Sequence, residues 1–518
     1  AAFVELAGKT VFSAKQRIVE LLQESGDMVG DARPITHPVK FFEKGDRPLE
    51  IVSTRQWYIR NGGRDAELRD RLIVLGKELA FHPDFMRVRF ENWTNGLTGD
   101  WLVSRQRFFG VPIPVWYRLD EAGNPDFDSP LVPDLETLPV DPSSDVPAGF
   151  SESQRGKPGG FIGEIDIMDT WATSSLTPQL AGGWLADPAK FAKVFPYDLR
   201  PQGQDIIRTW LFSTLLRSEQ EHGQLPWTNA AISGWILDPD RKKMSKSKGN
   251  VVTPADLLTE HGSDAVRYWA ASARLGTDAA FDTGQMKIGR RLAIKVLNAA
   301  KFTLGFETSG TEATVTEPID QAMLLELADV VRGATLAFEN YDHTKALELT
   351  ETFFWNFTDD YLELVKERAY GQGGVSPQAQ ASAVIALRRA LHVMLRLLAP
   401  FLPFATEEVW SWWQDGSIHR ATWPTDRELT EDLDASYHGL LSLASTALVG
   451  VRKAKSDAKV SMKAEIDSAV ISAPAEVLTS IRLLESDLRA VGKIAELGFQ
   501  EGSQLEVSQV MFAEISED

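Results

Sequence analysis

The segment "GQDIIRTWLFSTLLRSEQEHGQLPWTNAAISGWIL", residues 203–237, carries the pattern of a helix and then that of a strand. Residues 203–223 predict a helix that ends at Gly223, because glycine is enriched directly after helix C termini. Residues 229–237 and the earlier residues 161–171 each predict a buried strand. Strand, helix and strand in this order are typical of a parallel βαβ unit, so the sequence predicts an α/β fold with a parallel sheet.

The patterns on either side of this unit divide the 518 residues into four expected domains. Residues 51–284 alternate between strand and helix patterns and form the expected α/β part. Residues 285–435 carry apolar residues at three- and four-residue steps, which predicts an all-α bundle. Residues 436–518 return to mixed patterns and predict a small C-terminal α/β domain, with strands expected at 465–473 and 504–512.

Residues 1–50 form the remaining expected part, a short and partly autonomous piece. Within it, residues 13–23 predict a helix with Ser13 as its N-cap, since serine side chains accept hydrogen bonds from the first turn. Residues 51–58, which follow this piece, alternate and are rich in residues that favour strands. That pattern predicts a strand at the start of the α/β part.

The composition excludes several classes of protein and site. A formal net charge of −19 argues against indiscriminate nucleic-acid binding, which depends on neutralising phosphates. The absence of cysteine excludes disulfides, thiolate zinc sites and a cysteine nucleophile, and the eight histidines form no HExxH pairing. Because we find no long apolar run and no leader pattern, we expect no membrane association and a cytoplasmic location.

Positive charge is concentrated in one place in this acidic chain, where five of the eight residues from Arg241 to Lys248 are basic. They belong to "DPDRKKMSKSKGNVV", residues 238–252, which directly follows the predicted strand 229–237. Ligands of doubly wound folds bind at the carboxyl ends of the parallel strands, so the lysines are expected at that edge. There they would act as mobile charges for a polyphosphate, with Gly249 letting the backbone bend. The alternative is a solvated basic turn.

Several segments match one family of proteins in the same order along the chain. They are "DWLVSRQRFFGVPIPVW" (100–116), "MDTWATSSL" (168–176), "LRPQGQDIIRTWLF" (199–212), "KMSKS" (243–247), "WNFTDDYLELVKERAY" (355–370) and "LAPFLPFATEEVWSWW" (398–413). With them the chain resembles class I aminoacyl-tRNA synthetases, and within these the branched-chain subgroup of valyl, isoleucyl and leucyl enzymes. The segment "GQDIIRTW" is similar to the valyl pattern, whereas the isoleucyl pattern has Gln after the Asp.

The resemblance implies a fold and a set of nucleotide contacts. The implied fold is a Rossmann-like, nucleotide-binding catalytic part that is incomplete, followed by an anticodon-binding bundle and the small α/β domain. The positions that match ATP-binding positions of the family are Gly203, Asp205, Ser233, Gly234, Ile236, Met244, Ser245 and Ser247. Asp205 would accept hydrogen bonds from the ribose hydroxyls. Lys243 and Lys246 match the catalytic lysines, with Lys246 opposing the charge on the departing pyrophosphate.

The resemblance also implies a pocket for the amino acid. Ile206 and Trp210 stand four residues apart and are therefore expected on one face of the predicted helix. Together with Trp171 they would form an apolar box for a short branched side chain. The alternative for all three residues is ordinary core packing.

The activity that the resemblance implies is valine–tRNA ligation. ATP activates valine as an adenylate, with Mg²⁺ accompanying the ATP, and the valyl group then moves to tRNA(Val). The expected partners are thus ATP, valine and tRNA(Val), and the expected state is a monomer without a metal site of its own. The remaining alternatives are an isoleucyl-tRNA synthetase fragment and a non-catalytic tRNA-binding derivative.

Some family features are missing from the sequence. Residues 1–50 resemble only the end of the editing insertion, and no histidine lies in the HxGH context of the first class I signature. The chain is therefore expected to be an N-terminally truncated fragment that is inactive alone. Residues 41–52 occupy the place of a cysteine-bearing zinc element but contain no cysteine, so no structural zinc is expected.

Overall fold

The computed structural model describes residues 2–41, 48–49, 53–244, 249–306 and 314–513. The chain divides into two compact units, Ala1–Trp57 and Tyr58–Asp518. Within the described ranges, none of the helices has both the length and the apolar character needed to cross a membrane.

The described residues form helices and short strands throughout the chain. The helices are α1 (Ala2–Leu6), α2 (Val11–Ser25), α3 (Ala66–Glu78), α4 (Arg87–Asn95), α5 (Thr170–Ser174), α6 (Thr177–Gly182), α7 (Pro188–Val194), α8 (Phe212–His222), α9 (Pro254–His261), α10 (Ser263–Ala271), α11 (Thr283–Leu304), α12 (Pro318–Glu339), α13 (His343–Asn356), α14 (Leu362–Ala369), α15 (Pro377–Leu398), α16 (Pro403–Ser411), α17 (Arg427–Thr430), α18 (Leu440–Asp457), α19 (Ala475–Arg482) and α20 (Glu485–Gly492). The strands are β1 (Tyr58–Ile59), β2 (Ala80–His82), β3 (Trp101–Leu102), β4 (Ser104–Arg105), β5 (Trp116–Arg118), β6 (Phe161–Gly163), β7 (Ile167–Met168), β8 (Tyr197–Gly203), β9 (Trp227–Ser233), β10 (Ile236–Leu237), β11 (Ala279–Ala280), β12 (Ile466–Ala473), β13 (Ile494–Glu501) and β14 (Glu506–Phe512).

The first unit contains α1 and α2, and the predicted helix at residues 13–23 is confirmed as part of α2. Its N-cap, however, is Thr10 and not Ser13. Thr10 has an extended backbone, and its Oγ1 accepts a hydrogen bond of 3.2 Å from the backbone N–H of Ser13. Ser13 lies inside the first turn because the helix begins two residues before it, at Val11.

A parallel sheet of three strands in the order β2-β9-β8 forms the centre of the α/β part. Between β8 and β9 the chain forms a 3-10 turn (Gln204–Ile206), a π turn (Ile207–Leu211) and α8. Gly223 ends this helical segment in the left-handed conformation, with φ of 64°. The βαβ unit and the terminating glycine are thus confirmed. The apolar face of the helical segment between β8 and β9 packs on buried side chains of α3 and α4, including Leu72 and Phe90.

The first strand of the βαβ unit is β8, so the strand predicted at residues 161–171 is wrong. That segment contains only β6 and β7, which pair antiparallel with β5 and β4. The Glu164 carboxylate separates them, because it accepts hydrogen bonds from the backbone N–H groups of Ile165 and Asp166 and from the Tyr117 hydroxyl. The chain therefore turns at the position where a strand would continue.

The strand predicted at residues 51–58 is also wrong over its described part. Residues 53–57 have no strand structure, and residues 51 and 52 lie outside the described ranges. Among the described residues of this segment, strand pairing begins at Tyr58, which with Ile59 forms β1 opposite Leu102 and Trp101 of β3.

The helical region that follows shares one apolar core with the C-terminal α/β part. Leu327 and Val331 of α12, Leu391 of α15 and Leu488 of α20 are all buried in it. The expected helices of the bundle are confirmed as α11 to α16. The small C-terminal sheet has the order β13-β12-β14, and the strands expected at 465–473 and 504–512 are confirmed as β12 and β14.

Candidate functional site

The carboxyl ends of β8 and β9 bring three of the predicted nucleotide contacts together. Gly203 lies opposite Ser233 in the parallel pairing. Asp205 follows in the 3-10 turn, and a Cβ added to Gly203 would lie 2.7 Å from the Asp205 Oδ1 and 3.9 Å from the Ser233 Oγ. A side chain at residue 203 would require the Asp205 carboxylate to move. Asp205 and Ser233 are both exposed at this edge, and the Ser233 hydroxyl donates a 3.4 Å hydrogen bond to the backbone oxygen of Gln202.

The other two predicted adenine contacts follow directly after β9. A Cβ added to Gly234 would lie 2.2 Å from the backbone oxygen of Thr277, so only glycine allows this close approach. Ile236 is half exposed and begins β10, where it pairs in parallel with Ala279 of β11. Both residues therefore lie beside a second strand-like segment, residues 276–281, that runs along the sheet edge.

The basic segment leaves β10 as a loop whose base is hydrogen-bonded, and we call residues 238–250 the lysine loop. At its start the buried Asp238 accepts 2.7 Å and 2.8 Å hydrogen bonds from the Lys242 N–H and the Asn250 Nδ2. These bonds lower the pKa of Asp238, with the Asn250 amide as the largest cause. Because Asn250 stands at the other end of the loop, Asp238 joins its two ends.

Of the two predicted catalytic lysines, Lys243 is described and lies at this base. Lys243 forms an isolated bridge with Leu237, and its Nζ lies 4.5 Å from the centre of the Trp235 ring. Met244 is the last residue before a gap in the described ranges. Ser245, Lys246 and Ser247 lie outside the described residues, so their predicted roles are untested. The structure thus places Lys243 at the sheet edge next to the predicted adenine contacts.

Sequence reasoning missed Asp238, Asn250 and Trp235, although the first two hold the base of the loop and Trp235 contacts Lys243. Their common signal is position, since Trp235 and Asp238 precede the basic residues and Asn250 directly follows the glycine that ends them. Short polar side chains on both sides of a loop are frequent bridging residues. The pairing itself is twelve residues apart and becomes visible only in the fold.

A cleft of about 590 Å³ opens beside the sheet, and Trp171 lines it. Asp169 caps α5 next to Trp171 and accepts hydrogen bonds of 2.9 Å from Arg105 and 3.1 Å from the Trp101 indole. Asp100 also lines the cleft, and its buried Oδ1 has no hydrogen-bond partner among the described residues. The cleft therefore combines aromatic walls with carboxylate acceptors.

The other two predicted pocket residues do not line this cleft. Trp210 belongs to the π turn, and its indole Nε1 donates a 2.9 Å hydrogen bond to the backbone oxygen of Ser174, at the end of α5. Ile206 closes the preceding 3-10 turn. Ile206 and Trp210 do not belong to one regular α-helix, because the segment that contains them is 3-10 and then π-helical. Their position on one helical face stays a prediction. Trp171 and Trp210 nevertheless lie on elements that are hydrogen-bonded to each other.

Arg200 was not predicted and packs against the Trp210 ring from β8. Its guanidinium also faces the Trp227 ring at 5.2 Å. Burial lowers the pKa of Arg200 to about 10. Arg200 therefore fixes the indole of Trp210 from the side of the sheet.

Metal ligands were not expected in the protein. Among the residues that the structure describes, no group of three or more His, Cys, Asp or Glu side chains is placed to hold a metal ion. Residues 41–52 occupy the place of the family's zinc element, and of these residues 42–47 and 50–52 lie outside the described ranges. The expectation of no structural zinc therefore stays a prediction.

Comparison with known proteins places this site in a family. The family "tRNA synthetases class I (I, L, M and V)" matches residues 1–282, and "Anticodon-binding domain of tRNA ligase" matches residues 320–471. The chain is 63% identical to a valine–tRNA ligase of Leifsonia xyli. This match covers 100% of the present chain and 60% of the length of that relative. It is 63% identical to the enzyme of Thermobifida fusca over 96% of its length and 56% of that relative. For Salinispora arenicola the identity is 59%, over 96% of this chain and 60% of the relative.

The matched region contains every site residue described above, from the cleft to the lysine loop. The chain spans 56–60% of the length of these curated relatives. Its sequence family, its parallel sheet and its helical bundle agree, and the chain belongs to the class I tRNA synthetase family.

Proposed function

We propose that this chain is part of a valine–tRNA ligase that activates valine with ATP and transfers it to tRNA(Val). The observation that carries the proposal is the 59–63% identity to valine–tRNA ligases, which extends over the strand ends and the lysine loop. Because the chain spans about 60% of the length of these relatives, the proposed activity is assigned to the full-length protein and not to this chain alone.

The proposed nucleotide site lies at the ends of β8 and β9. Asp205 is exposed beside Gly203, and an ionised carboxylate only accepts hydrogen bonds, which suits the two hydroxyls of a ribose. Ser233, Gly234 and Ile236 continue the same edge and would border the adenine. Gly203 and Ser233 are direct partners in the sheet, so the residues proposed for the ribose and for the adenine lie next to each other. This arrangement supports the binding of one nucleotide along the edge.

In the first step a valine carboxylate oxygen attacks the α-phosphorus of ATP. The bond from that phosphorus to the bridging oxygen breaks, and pyrophosphate leaves with the bonding electrons. Lys243 and Lys246 oppose the negative charge that grows on the leaving group, so catalysis rests on positioning and electrostatics. Lys243 suits this role because the Trp235 ring and the Asp238 bridge hold the start of its loop.

The valine side chain is proposed to lie near Trp171, with Ile206 and Trp210 close to the same wall. Trp210 is fixed by its hydrogen bond to Ser174 and by the overlying Arg200. Small-molecule sites are usually preformed pockets with mostly apolar walls. A short branched side chain can pack against such a rigid aromatic wall.

In the second step an acceptor hydroxyl at the 3′ end of tRNA attacks the acyl carbon, and AMP leaves. The match of residues 320–471 to an anticodon-binding domain supports tRNA as the acceptor. Mg²⁺ is proposed to enter with ATP as part of the substrate. A monomeric state and a cytoplasmic location remain predictions from the sequence.

Valine-dependent ATP–pyrophosphate exchange tests this function in a full-length protein that contains the chain. We expect exchange with valine and much less with isoleucine, leucine or threonine. The variant D205A should lose about 30-fold in kcat/KM for ATP because a carboxylate that accepts charge-assisted hydrogen bonds is removed. Its matched control is D198A, an exposed aspartate on the same strand but away from the carboxyl end.

The fragment itself provides a second measurement. We expect no exchange from residues 1–518 alone, because no HxGH segment occurs among them. Selective activation of isoleucine by the full-length protein, or exchange lost equally in D205A and D198A, would overturn the proposal.

A further inference from the structure

The side chain of Asp278 connects the two halves of the proposed nucleotide site. Its Oδ1 accepts a 2.8 Å hydrogen bond from the Gln204 Nε2 and another of 2.8 Å from the backbone N–H of Trp235. Gln204 stands between Gly203 and Asp205, and Trp235 stands between Gly234 and Ile236. One carboxylate oxygen therefore contacts the centre of the ribose turn and the centre of the adenine segment.

The segment that carries Asp278 is held in place along its length. Its backbone donates hydrogen bonds from Gly276 to Ile232 of β9 at 2.8 Å and from Ala279 to Trp235, between β9 and β10, at 2.9 Å. Gly276 has φ of 76° and lies against Pro83, so the turn before Asp278 is also fixed. A side chain on such a held segment can set the distance between two other elements.

Gln204 depends on this contact more than Asp278 does. Gln204 is 7% exposed, and its Nε2 donates to Asp278, which is itself exposed. A buried amide without a partner carries a desolvation cost, so loss of Asp278 would favour another position of the 3-10 turn. Asp205 lies next in that turn and would move with it.

We propose that Asp278 is a positioning residue that fixes the spacing between the ribose turn and the adenine segment and thereby sets the affinity for ATP. This inference rests on the proposed function of the same site. Asp278 acts through Gln204 and Trp235 and does not touch the reacting atoms. Its effect therefore belongs to ATP binding and not to the chemical step.

The test compares Asp278 variants in a full-length protein that contains the chain. D278A should raise the KM for ATP about tenfold, since two hydrogen bonds to one oxygen are lost, while kcat at saturating ATP stays within about twofold. D278N should restore most of the affinity, because an amide oxygen can accept the same two hydrogen bonds. An unchanged KM in D278A would overturn the inference.

A double-mutant cycle separates positioning from general damage. Because Gln204 carries one of the two contacts through which Asp278 acts, Q204A should raise the KM for ATP less than D278A does, and Q204A/D278A should be no worse than D278A alone. Independent, multiplicative effects of the two changes would contradict the route through Gln204. The matched control is D282A, which removes the N-cap of α11 four residues away and should lower thermal stability without changing the KM for ATP.

Calorimetric titration of ATP into the same proteins keeps the two proposals distinguishable. If the parent protein binds ATP but shows no valine-dependent exchange, the proposed function fails. The ratio of the ATP dissociation constants of D278A and the parent then still decides the inference. If the parent shows exchange and D278A binds ATP as tightly as the parent, the inference alone fails.

Discussion

Asn250 donates a 2.8 Å hydrogen bond from its Nδ2 to the Oδ2 of Asp238, and this bond joins the two ends of the lysine loop. The same Asn250 amide also reaches the backbone oxygen of Lys243 at 3.3 Å. The base of the loop is therefore closed by side chains, and Lys243 lies at this closure. A loop fixed at its base can place mobile charges without holding them rigidly.

Opening this base should weaken catalysis. D238A removes the acceptor of both the Asn250 amide and the Lys242 N–H, and we expect exchange activity to fall about fivefold or more in the full-length protein. The matched control is D240A, an exposed aspartate that lies 3.7 Å from Lys242 and should change the rate less than about twofold. Equal losses in both variants would argue against a role for the bridge.

Trp235 should contribute through its ring. Its indole lies 4.5 Å from the Lys243 Nζ, and an exposed cation–π contact is worth about 0.5–1 kcal/mol. W235L should therefore lower the exchange rate about two- to fivefold at saturating valine. W412L, which removes a comparable contact with Lys301 in the bundle, provides the control and should leave exchange unchanged.

The sequence predicted the elements that have a regular pattern and missed those defined by pairing across the fold. The helices α12 and α15 and the strand β9 follow from apolar spacing. The strand β8 was not foreseen as the partner of β9 because it contains Asp198, Arg200, Pro201 and Gln202, which are tolerated at the edge of a sheet. At the site, motifs predicted which residues at the strand ends and which lysines bind the nucleotide. No motif indicates the contact between Asp278 and Gln204, which forms only in the folded chain.

The basic residues of the C-terminal part show the same limit. Lys453 and Lys455 belong to one basic series in the sequence, and such a series on a helix is typical of a solvated face. Lys455 is only 2% exposed and donates hydrogen bonds of 3.0 Å to the Met462 oxygen and 2.9 Å to the Gly492 oxygen. Arg452 of the same series pairs with Asp360 at 2.7 Å. Helical spacing alone does not reveal these partners, because Asp360 belongs to the bundle and Gly492 to α20.

Lys455 should therefore act on stability. K455A leaves two backbone oxygens without their donor and opens a cavity beside Gly492, and we expect a loss of about 2 kcal/mol in the free energy of unfolding. The neighbouring change K453A is the control and should alter it by less than about 0.5 kcal/mol. Urea denaturation of both variants checks the difference, and equal stabilities would show that the burial of Lys455 has no energetic consequence.

Arg368 should be the most sensitive ionic residue of the bundle. It is 5% exposed and binds Asp320 at 2.7 Å and Asp487 at 3.0 Å, thereby linking α14 to α12 and α20. Burial raises the pKa of Asp487 even beside this guanidinium. R368A would leave two buried carboxylates without a counter-charge and should cost about 3–5 kcal/mol. The exposed Lys366–Glu363 pair supplies the control K366A, which should cost less than about 1 kcal/mol.

His392 should make stability depend on pH below about 6.5. Its pKa lies below the ordinary 6.5 because it is buried against Trp410 and because Arg396 lies beside it. The Arg396 guanidinium donates a 3.0 Å hydrogen bond to the His392 Nδ1, which requires a neutral ring. The unfolded chain therefore binds the proton more readily than the folded chain, so this contribution to stability is complete above pH 6.5 and decreases as the pH falls towards the folded pKa.

H392F keeps an aromatic ring against Trp410 but cannot titrate, and urea unfolding between about pH 5 and 8 should show a smaller loss of stability on acidification than in the parent. The same pH dependence in both proteins would exclude His392 as the titrating group.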